Sequence, residues 1–592
     1  MHFKIISFFV FLLIFTPSFA IVTVGTSSGS GVCDRTTIAA GIQYANSQGD
    51  SEIRVLKNQN FLENISINHS VSITGGYNNC NEANDANTSL PTSKTFIYGD
   101  VFPRNTVITI NLSNTNVTLN NLYISDNVND PNINVNGHGV AVKGTSGTVY
   151  INNSTIANNR STKGGGVYVE DGTDEKNVNI VNTSIFANQA IGFFAGGGFG
   201  GGVYCSGTGA HVVILGESEV SLNSADTGGG VVAEYGCTIS VASGIDVSTT
   251  ATRRGIMNNS ANFNGGGIYV GNDSRLNLNS TYQTGTPFIT LGDSDTPATI
   301  ANNVANGKGG GVYAEFGSRI NIKDALIDGN SAVDGGGIYI TTESNINASF
   351  SNYNCWSPGS CMVIRNNTAD SHGGAVYFSN TEIGSSFNHT LFYGNRANAG
   401  TAMYIQGLPG TNNFFVVITN SSIYNNGNDG AGSFADFNVF QVTNNARAIF
   451  NYTTIVDNDV NDTTATIRNF SSKVEIHKSI IHNSEDVIKE FTPVNTITDC
   501  LVVNEDTSVS GPTIYVEDPG FVNRPNNDYH LTPVSFAVDL CAAGTNGQNG
   551  GKDFDLDSRG IDILSVMNIE GPYDAGSDEY NDHEAVFKSG FE

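Results

Sequence analysis

The chain has 592 residues and a net charge of −28, and only 14% of its residues are charged, against about 25% in ordinary soluble domains. Because so few lysines and arginines are available to neutralise phosphates, we exclude nucleic acid as a partner. The apolar fraction of 39% allows a packed core, which argues against a disordered chain. The composition therefore indicates a folded protein that contacts something other than nucleic acid.

The first 20 residues are typical of a secretory signal peptide. Lys4 supplies a positive charge, an apolar run follows from Ile5 to Phe15, and Ser18-Phe19-Ala20 offers small residues for cleavage. A transmembrane helix needs about 20 apolar residues, which no other stretch of the chain supplies. We therefore expect an exported protein whose mature chain has no transmembrane segment.

The chain contains eight cysteines, an even number that an oxidising compartment would pair as disulfides. Cys355 and Cys361 bracket a short turn, and Cys205 and Cys237 stand about one repeat apart. Spacing alone leaves other connectivities open, and no C-x-x-C pair suggests a metal site. The expected pairs are Cys33–Cys80, Cys205–Cys237, Cys355–Cys361 and Cys500–Cys541.

A short motif recurs along the chain. Gly164-Gly165-Gly166-Val167-Tyr168 returns with small changes from Gly200, Gly228, Gly265, Gly309 and Gly335 onward. Ahead of each copy, an aliphatic residue or Phe precedes an Asn by three positions, and this Asn pattern continues beyond the glycines. The recurring asparagines are Asn127, Asn159, Asn188, Asn223, Asn259, Asn303, Asn330, Asn367, Asn395, Asn426, Asn458 and Asn483.

The gaps between successive asparagines vary from 25 to 44 residues, whereas repeats of helix pairs keep their lengths more constant. Alternation places Val167 and Val169 on one side of a strand and Tyr168 on the other. These features predict an all-β fold, a parallel β-helix of roughly 12–15 coils stacked about 4.8 Å apart. Glycine pairs would turn the chain with φ > 0, and stacked asparagines would hydrogen-bond along the axis.

Both ends of such a solenoid need a cap. The stretch Thr36–Asn46 is the best amphipathic helix of the chain, with Ile38, Ile42 and Ala45 on one face, and it predicts an N-terminal cap. From about residue 518 the repeat breaks, which predicts a C-terminal cap. The expected organisation is a signal peptide at 1–20, the cap and first coils at 21–75, β-helix repeats at 76–517, a C-terminal cap at 518–580 and a tail at 581–592.

The paired Ile/Phe-x-x-Asn and Gly-Gly-Ala/Gly-Ile/Val motifs resemble the polymorphic outer membrane protein repeat of bacterial right-handed β-helix proteins, over residues 124–483. Cys33–Ile38 and Gly75–Cys80 are similar to the start of secreted gammaproteobacterial β-helix proteins. The C-terminal part of the chain resembles the closing region of choice-of-anchor β-helix proteins at Asp518–Phe521, Asp528–Leu531 and Tyr573–Gly576. The last residues, Phe587–Glu592, resemble a short tail found on such proteins.

This resemblance implies a right-handed β-helix outside the cell or on the outer surface of a Gram-negative bacterium. It also implies a binding or adhesion role toward surface glycans or proteins, and we expect a monomer. Two departures stand out. Ser535–Asp539 reads Ser-Phe-Ala-Val-Asp where choice-of-anchor proteins have Ser-Pro-Ala-Ile-Asp. Residues 484–592 lack the alternating strands of the autotransporter barrel that outer-membrane members carry, so we expect no anchoring by that route.

An enzymatic role is the alternative, because pectate lyases and polygalacturonases share this fold. Gly137-His138-Gly139 matches a short polygalacturonase motif, but it aligns with the repeat copy at Gly164 and has no Asp-Asp pair beside it. Asp324, Asp328 and Asp334, near Arg319 and Lys323, are scattered along one coil. We therefore predict no catalytic residue, and keep a polysaccharide lyase or glycoside hydrolase acting on acidic, plant or algal polysaccharide as the alternative.

Two further groups are candidates for binding. Asp553, Asp555 and Asp557 alternate and could hold Ca²⁺ through oxygen ligands, although a solvated turn explains them as well and no other cofactor is expected. A row of tyrosines shares one outward register and could stabilise the sheet or offer a platform for sugar rings or a partner. The row consists of Tyr168, Tyr204, Tyr269, Tyr313, Tyr339 and Tyr377, with Tyr404 in the same register.

Overall fold

In the computed structural model the chain is a right-handed parallel β-helix, which confirms the predicted fold class. The signal peptide at 1–20, the Cys355–Cys361 pair, Asn127 and nearly all of the tail lie outside the described residues. The described residues are 21–26, 31–99, 106–126, 138–192, 197–242, 254–279, 297–348, 362–410, 414–428, 434–461, 464–491, 495–504, 508–509, 511–543, 551–555 and 557–581.

The largest sheet, called the long sheet, has 28 strands. Most coils contribute two consecutive strands to it, which we call the first arm and the second arm of the coil. The strands of the first arm are Ile21–Val24, Glu52–Leu56, Val71–Tyr77, Thr115–Asn120, Gly147–Asn152, Lys176–Val181, Ala210–Leu215, Thr238–Ala242, Arg275–Leu278, Arg319–Ile322, Asn345–Ala348 and Ser385–Asn388. Those of the second arm are Asn60–Leu62, Thr95–Tyr98, Leu122–Ser125, Thr155–Ala157, Ser184–Phe186, Glu219–Ser221, Gly255–Met257, Ala298–Ala301, Ala325–Asp328, Met362–Arg365 and Thr390–Tyr393.

Further along the chain the two arms merge into long bent strands. A residue in the left-handed region makes the bend, such as Asn420 at φ 46° and Tyr452 at φ 49°. These merged strands are Phe415–Tyr424, Arg447–Val456, Lys473–His482 and Thr496–Val503, and Ile514–Val516 completes the long sheet.

Two more parallel sheets close the coils. The second sheet has 14 strands: Ile65–Ile67, Ile108–Leu112, Val140–Gly144, Val167–Val169, Val203–Ser206, Val231–Glu234, Ile268–Val270, Val312–Ala314, Ile338–Thr341, Val376–Thr381, Met403–Gly407, Phe440–Thr443, Ala465–Phe470 and Asp486–Phe491. The third sheet has eight short strands: Arg160–Ser161, Gln189–Ala190, Ser224–Ala225, Ser260–Ala261, Val304–Ala305, Ser331–Asp334, Thr368–His372 and Arg396–Ala399.

The core is a column of aliphatic side chains enclosed by the three sheets. Register pairs place Val140 beside Val167, Val167 beside Val203 and Val203 beside Val231, and all four residues are fully buried. The same apolar cluster continues from Val22 to Val503. Because each coil buries its inward residues against the coils on both sides, no coil forms a core of its own.

The recurring asparagines form a buried ladder that runs along the axis, as the sequence predicts. From Asn159 to Asn483, each side-chain Nδ2 donates to the Oδ1 of the asparagine in the next coil at 2.9–3.2 Å. The backbone N–H of each asparagine donates to the same oxygen at 3.0–3.1 Å. From Asn188 to Asn483, each Oδ1 therefore accepts two hydrogen bonds, and the turns of successive coils are held in register.

The glycine triplets serve two purposes, of which the sequence predicted only the first. Gly309 opens its triplet in the left-handed region at φ 66°, where a side chain would be strained. At Gly310 the constraint is close packing, because an added Cβ would lie 2.5 Å from the carbonyl oxygens of Gly336 and Ser331. Adjacent coils therefore approach so closely at this turn that only hydrogen fits.

The N-terminal helix lies two residues later than predicted, over Ile38–Gln48, with Thr37 as its N-cap. Its buried residues Ile38, Ile42 and Ala45 join the main core and pack near the first strands. A five-residue helix, Cys80–Asn84, follows the first coils. No helix among the described residues is long and apolar enough to cross a membrane.

The residues that follow the last coil fold back along the outside of the β-helix. The segment contains an antiparallel pair, Phe521–Asn523 with Asp528–Leu531, joined by a 3₁₀ turn over Arg524–Asn526. Its apolar residues pack on the outer side of the long sheet, where Val456 and Ile480 are buried. We call the described residues of 517–581 the C-terminal segment.

Three of the four expected disulfides are present. Cys33 is bonded to Cys80 and Cys205 to Cys237. The third, Cys500–Cys541, joins the last merged strand to the C-terminal segment. This last bond fixes the segment covalently to the coil that it covers.

We expect Asn330→Ala to lower the free energy of unfolding by about 2 kcal/mol or more. The substitution removes the acceptor of the Asn303 N–H and Nδ2 groups, and each buried group left unpaired costs about 1–3 kcal/mol. The midpoint of urea unfolding, followed by far-UV circular dichroism, measures the effect. Asn306→Ala changes an exposed asparagine of the adjacent coil, the coil of Asn303, and serves as the control. Equal midpoints for both variants would show that the ladder does not stabilise the coils.

We expect Gly310→Ala to destabilise the β-helix, because its Cβ would meet two carbonyl oxygens that belong to backbone and cannot move aside. Gly511→Ala is the matched control, since the nearest atom there is a side-chain carbon of Ile514 at 3.6 Å. Thermal unfolding of both variants tests the effect. A melting temperature of Gly310→Ala equal to that of the wild type would contradict the close packing of the coils at this turn.

Candidate functional site

The predicted tyrosines lie in one register on the outer side of the second sheet. Tyr168 pairs with Tyr204, Tyr269 with Tyr313 and Tyr339 with Tyr377, while Val232 takes the position between Tyr204 and Tyr269. These side chains form an apolar cluster separate from the core. We call this cluster the tyrosine row.

Stacking holds the rings of the row together. The rings of Tyr269 and Tyr313 are nearly parallel with centroids 5.6 Å apart, and those of Tyr313 and Tyr339 are 5.2 Å apart. At Tyr377 the packing changes to edge-to-face, with an interplanar angle of 87° to Tyr339. Such pairs stabilise a sheet face by themselves.

The hydroxyl groups of the row bind charged residues at its edge. Tyr204 donates to Glu234 at 2.8 Å and accepts from Lys163 at 2.9 Å. Tyr313 donates to Glu315 at 2.8 Å. Burial, together with the nearby carboxylates, raises the pKa of Tyr204 and of Tyr313 far above the usual range, so these phenols stay neutral.

The rings offer little surface to a ligand. Tyr204 and Tyr339 are 2% exposed, and Tyr377 is 8% exposed. A ring stacked between two others has no free face on which a sugar could stack. Binding by the tyrosines therefore stays a prediction, while their stacking gives them a structural role.

His138 lies at the beginning of the row and explains the Gly-His-Gly motif. The Val140 strand pairs with the Val167 strand, as the alignment of the two sequence stretches predicts. The imidazole stacks on Tyr168 with centroids 4.6 Å apart, and its Nδ1 lies 3.0 Å from the Gly164 carbonyl oxygen. Burial lowers the pKa of His138 to about 4, which keeps the ring neutral.

The third sheet presents an exposed face that sequence reasoning missed. In seven of the eight strands, the residue directly after the ladder asparagine points outward and the alanine that follows points inward, as in Gln189–Ala190, Ser260–Ala261 and Val304–Ala305. Val304 is 45% exposed, and Phe263 and Val333 beside this row are also exposed. The recurring Asn-x-Ala pattern is the sequence signal that could have revealed it.

We call this surface the short-strand face. Its outward row from Gln189 to Thr368 consists of uncharged residues, and six strands spaced about 4.8 Å apart give it a length of about 24 Å. The outward residues are Gln189, Ser224, Ser260, Val304, Ser331 and Thr368. The face is flat and regular, which suits contact with an extended ligand or a partner surface.

The alternating aspartates lie in the C-terminal segment and have different partners. Asp553 is buried, and its carboxylate accepts from the backbone N–H groups of Asp557 at 2.6 Å and Glu579 at 3.1 Å. Burial, with the negative charge of Asp578, raises the pKa of Asp553 to about 8. Asp555 instead contacts His530, with its Oδ2 2.8 Å from Nε2.

Two of the three carboxylates considered for catalysis, Asp328 and Asp334, are each engaged with a residue of the next coil. Asp328 accepts from Arg365 Nε at 3.0 Å and Nη2 at 2.9 Å, and it also binds Asn366. Asp334 lies 3.0 Å from His372 Nδ1. Within the described residues, the two aspartates therefore belong to separate pairs.

We expect acid to destabilise the protein partly through His138. Its pKa is about 6.5 in the unfolded chain and about 4 in the fold, so the contribution to stability is complete above pH 6.5 and is lost as the pH falls toward 4. Chemical unfolding at pH 7 and pH 4.5 measures this loss, which His138→Asn should reduce. His372→Asn, which changes a more exposed imidazole, is the control. An equal loss in wild type and His138→Asn would contradict the assignment.

Comparison with known proteins gives one short match. Residues 297–315 match the family model of the Chlamydia polymorphic membrane protein repeat. The matched stretch contains the strand Ala298–Ala301, the ladder residue Asn303 and the glycine triplet from Gly309. No curated protein matches the chain. The chain is thus similar to this repeat over a part of one coil.

Proposed function

We propose that the protein is exported and acts at the cell surface or in the medium as a non-enzymatic binding protein that contacts glycans or proteins. The short-strand face carries this proposal, because its outward row from Gln189 to Thr368 is uncharged, lies on consecutive coils and includes exposed residues such as Val304. The match to the repeat of Chlamydia polymorphic membrane proteins supports a surface location. The three disulfides support an oxidising compartment outside the cytoplasm.

The distribution of charged groups favours binding over catalysis. A lyase or glycosidase needs carboxylates and a base that a polymer can reach. Among the described residues of the coils, each ion pair contains a single carboxylate that is held by basic side chains. Examples are Asp328 with Arg365 and Glu475 with Arg447. Arg559 and Glu579, in the carboxylate-rich C-terminal segment, have fully buried side chains that a polysaccharide cannot reach.

The net charge of the chain argues against polyanionic partners. At −28 the chain repels polyanionic surfaces, and the short-strand face contributes no positive charge from Gln189 to Thr368 that would offset this repulsion. Neutral glycans and uncharged protein surfaces fit the serine, threonine and valine side chains of the face. We therefore favour a neutral glycan or protein partner.

We expect a screen of immobilised glycans and extracellular proteins to yield a ligand whose binding is weakened by Val304→Glu. The substitution places a charge in the middle of the short-strand face at an exposed position, so the coil is retained. Ile383→Glu introduces the same charge at another exposed position, in a turn outside this face, and is the matched control. If both variants bind as the wild type does, the ligand does not use this face.

A second experiment tests the tyrosine row. In the triple variant Tyr269→Ser, Tyr313→Ser and Tyr339→Ser, lowered stability with unchanged affinity assigns the row a structural role only. Weakened binding at unchanged stability would show that the row is a binding platform.

Incubation of the wild type with pectin, alginate and neutral polymers in the presence of Ca²⁺ tests the enzymatic alternative. Release of unsaturated or reducing ends would overturn the proposed binding role.

A further inference from the structure

Three potential metal ligands converge in the C-terminal segment. His530 belongs to the antiparallel pair, Asp555 to the turn of alternating aspartates and Asp578 to the last described stretch. One ligand atom from each residue lies within 4.8 Å of the others, the only such group of His, Cys, Asp and Glu within the described ranges. We propose that His530, Asp555 and Asp578 bind a zinc ion that ties these three stretches together.

The distances suit a small divalent ion. His530 Nε2 and Asp555 Oδ2 are 2.8 Å apart. One ligand atom of each of these residues lies within 4.8 Å of a carboxylate oxygen of Asp578. Zinc bonds to nitrogen and oxygen are about 2.0–2.2 Å long, which places tetrahedral ligand atoms about 3.4 Å from one another. Shifts of about an ångström in these side chains would therefore bring all three ligands to the ion.

The neighbours of the three ligands hold them in place. Asp528 accepts a hydrogen bond from His530 Nδ1, so Nε2 is the nitrogen that faces Asp555. A carboxylate on the far nitrogen is the arrangement that orients zinc-binding histidines. Asp578 is fixed by the Leu531 backbone N–H, which donates to its Oδ2 at 2.7 Å. Hydrogen bonds to Asp528 and to the Leu531 backbone thus help to orient His530 and Asp578.

A small cavity adjoins the ligands and leaves room for a fourth. Its volume is about 50 Å³, enough for one ordered water molecule. Its walls include all three ligands and, from the long sheet, Ser422 and Tyr424. A water in this cavity would complete a tetrahedral site, and the cavity lies where the C-terminal segment meets the coils.

The chemistry of the ligands selects the ion. An imidazole nitrogen with two carboxylates suits zinc, whereas calcium and magnesium prefer six or more oxygen ligands. Two carboxylates also balance the charge of a divalent ion in this enclosed position, where the side chains of His530 and Asp555 are each 6% exposed. The proposed site therefore shares only Asp555 with the calcium site that the alternating aspartates predict, and it differs from that site in the metal.

The position of the site suggests its effect. The ligands come from residues 530, 555 and 578, so a bound ion closes two loops of the segment and favours the folded state by mass action. The segment is otherwise attached by the Cys500–Cys541 bond and by contacts such as Ser577 N–H to Thr454 Oγ1 at 2.9 Å. Zinc should therefore protect the C-terminal segment from detachment.

The test uses the full mature chain, first stripped of metal with a chelator. We expect zinc titration by calorimetry to give one ion per chain, and cobalt to give the visible absorption of a tetrahedral site. His530→Gln and Asp578→Asn should lose stoichiometric binding, while Asp528→Asn should bind about 10–100-fold more weakly. His372→Gln removes a histidine of another His–Asp pair and should bind zinc as the wild type does.

Two further measurements keep the proposal falsifiable if a ligand variant folds poorly. Asp555→Asn provides a third ligand variant, and circular dichroism identifies the variants that fold. In the wild type, zinc should slow proteolysis within residues 517–581, and this protection should be absent from the folded ligand variants. No stoichiometric zinc binding to the wild type, or equal binding by wild type and the folded ligand variants, would overturn the proposal.

Discussion

The structure depends on the stacking of identical backbone turns at the spacing of a parallel sheet. The strands of each coil donate hydrogen bonds to and accept them from the adjacent coils, so each strand position lies directly above an equivalent position of the next coil. The asparagine ladder is the side-chain form of this constraint, because the Oδ1 of each asparagine accepts two N–H groups of the preceding coil. A residue in a strand or at a ladder position must therefore be compatible with the residues at the same position of the adjacent coils.

This constraint explains the composition. Asparagine, serine and tyrosine stack without repulsion, whereas like charges at one register position would lie about 4.8 Å apart and repel. Glycine is abundant because the turns bring backbone against backbone, as Gly310 does against the Gly336 carbonyl. The same avoidance of stacked like charges explains why the outer row of the short-strand face from Gln189 to Thr368 is uncharged. Charged side chains concentrate instead in the C-terminal segment, where the repeat has ended.

The C-terminal segment is stabilised by different interactions from those that stabilise the coils. It contains few strands, and buried ionic groups hold it together: the guanidinium of Arg559 binds the carbonyl oxygens of Gly576 and Ser577 at 3.0 and 2.7 Å. Buried carboxylates such as Asp553 and Asp578 have a raised pKa because burial disfavours their charge. The stability of such a region depends on the charge of its buried carboxylates, whereas that of the coils rests mainly on the aliphatic core and the backbone hydrogen bonds.

Periodicity alone determined the solenoid, the asparagine ladder, the tyrosine register and the N-terminal helix, because each repeats or alternates at a spacing that only one backbone geometry satisfies. The exposure of the tyrosines depended on stacking between residues of successive coils, such as Tyr313 and Tyr339, so the sequence could not show that Tyr339 is buried. His530, Asp555 and Asp578 follow no spacing rule, and only the folding of the C-terminal segment onto the coils brings them together. Local pattern thus decided the coils, while contacts between distant, non-repeating stretches decided the candidate sites.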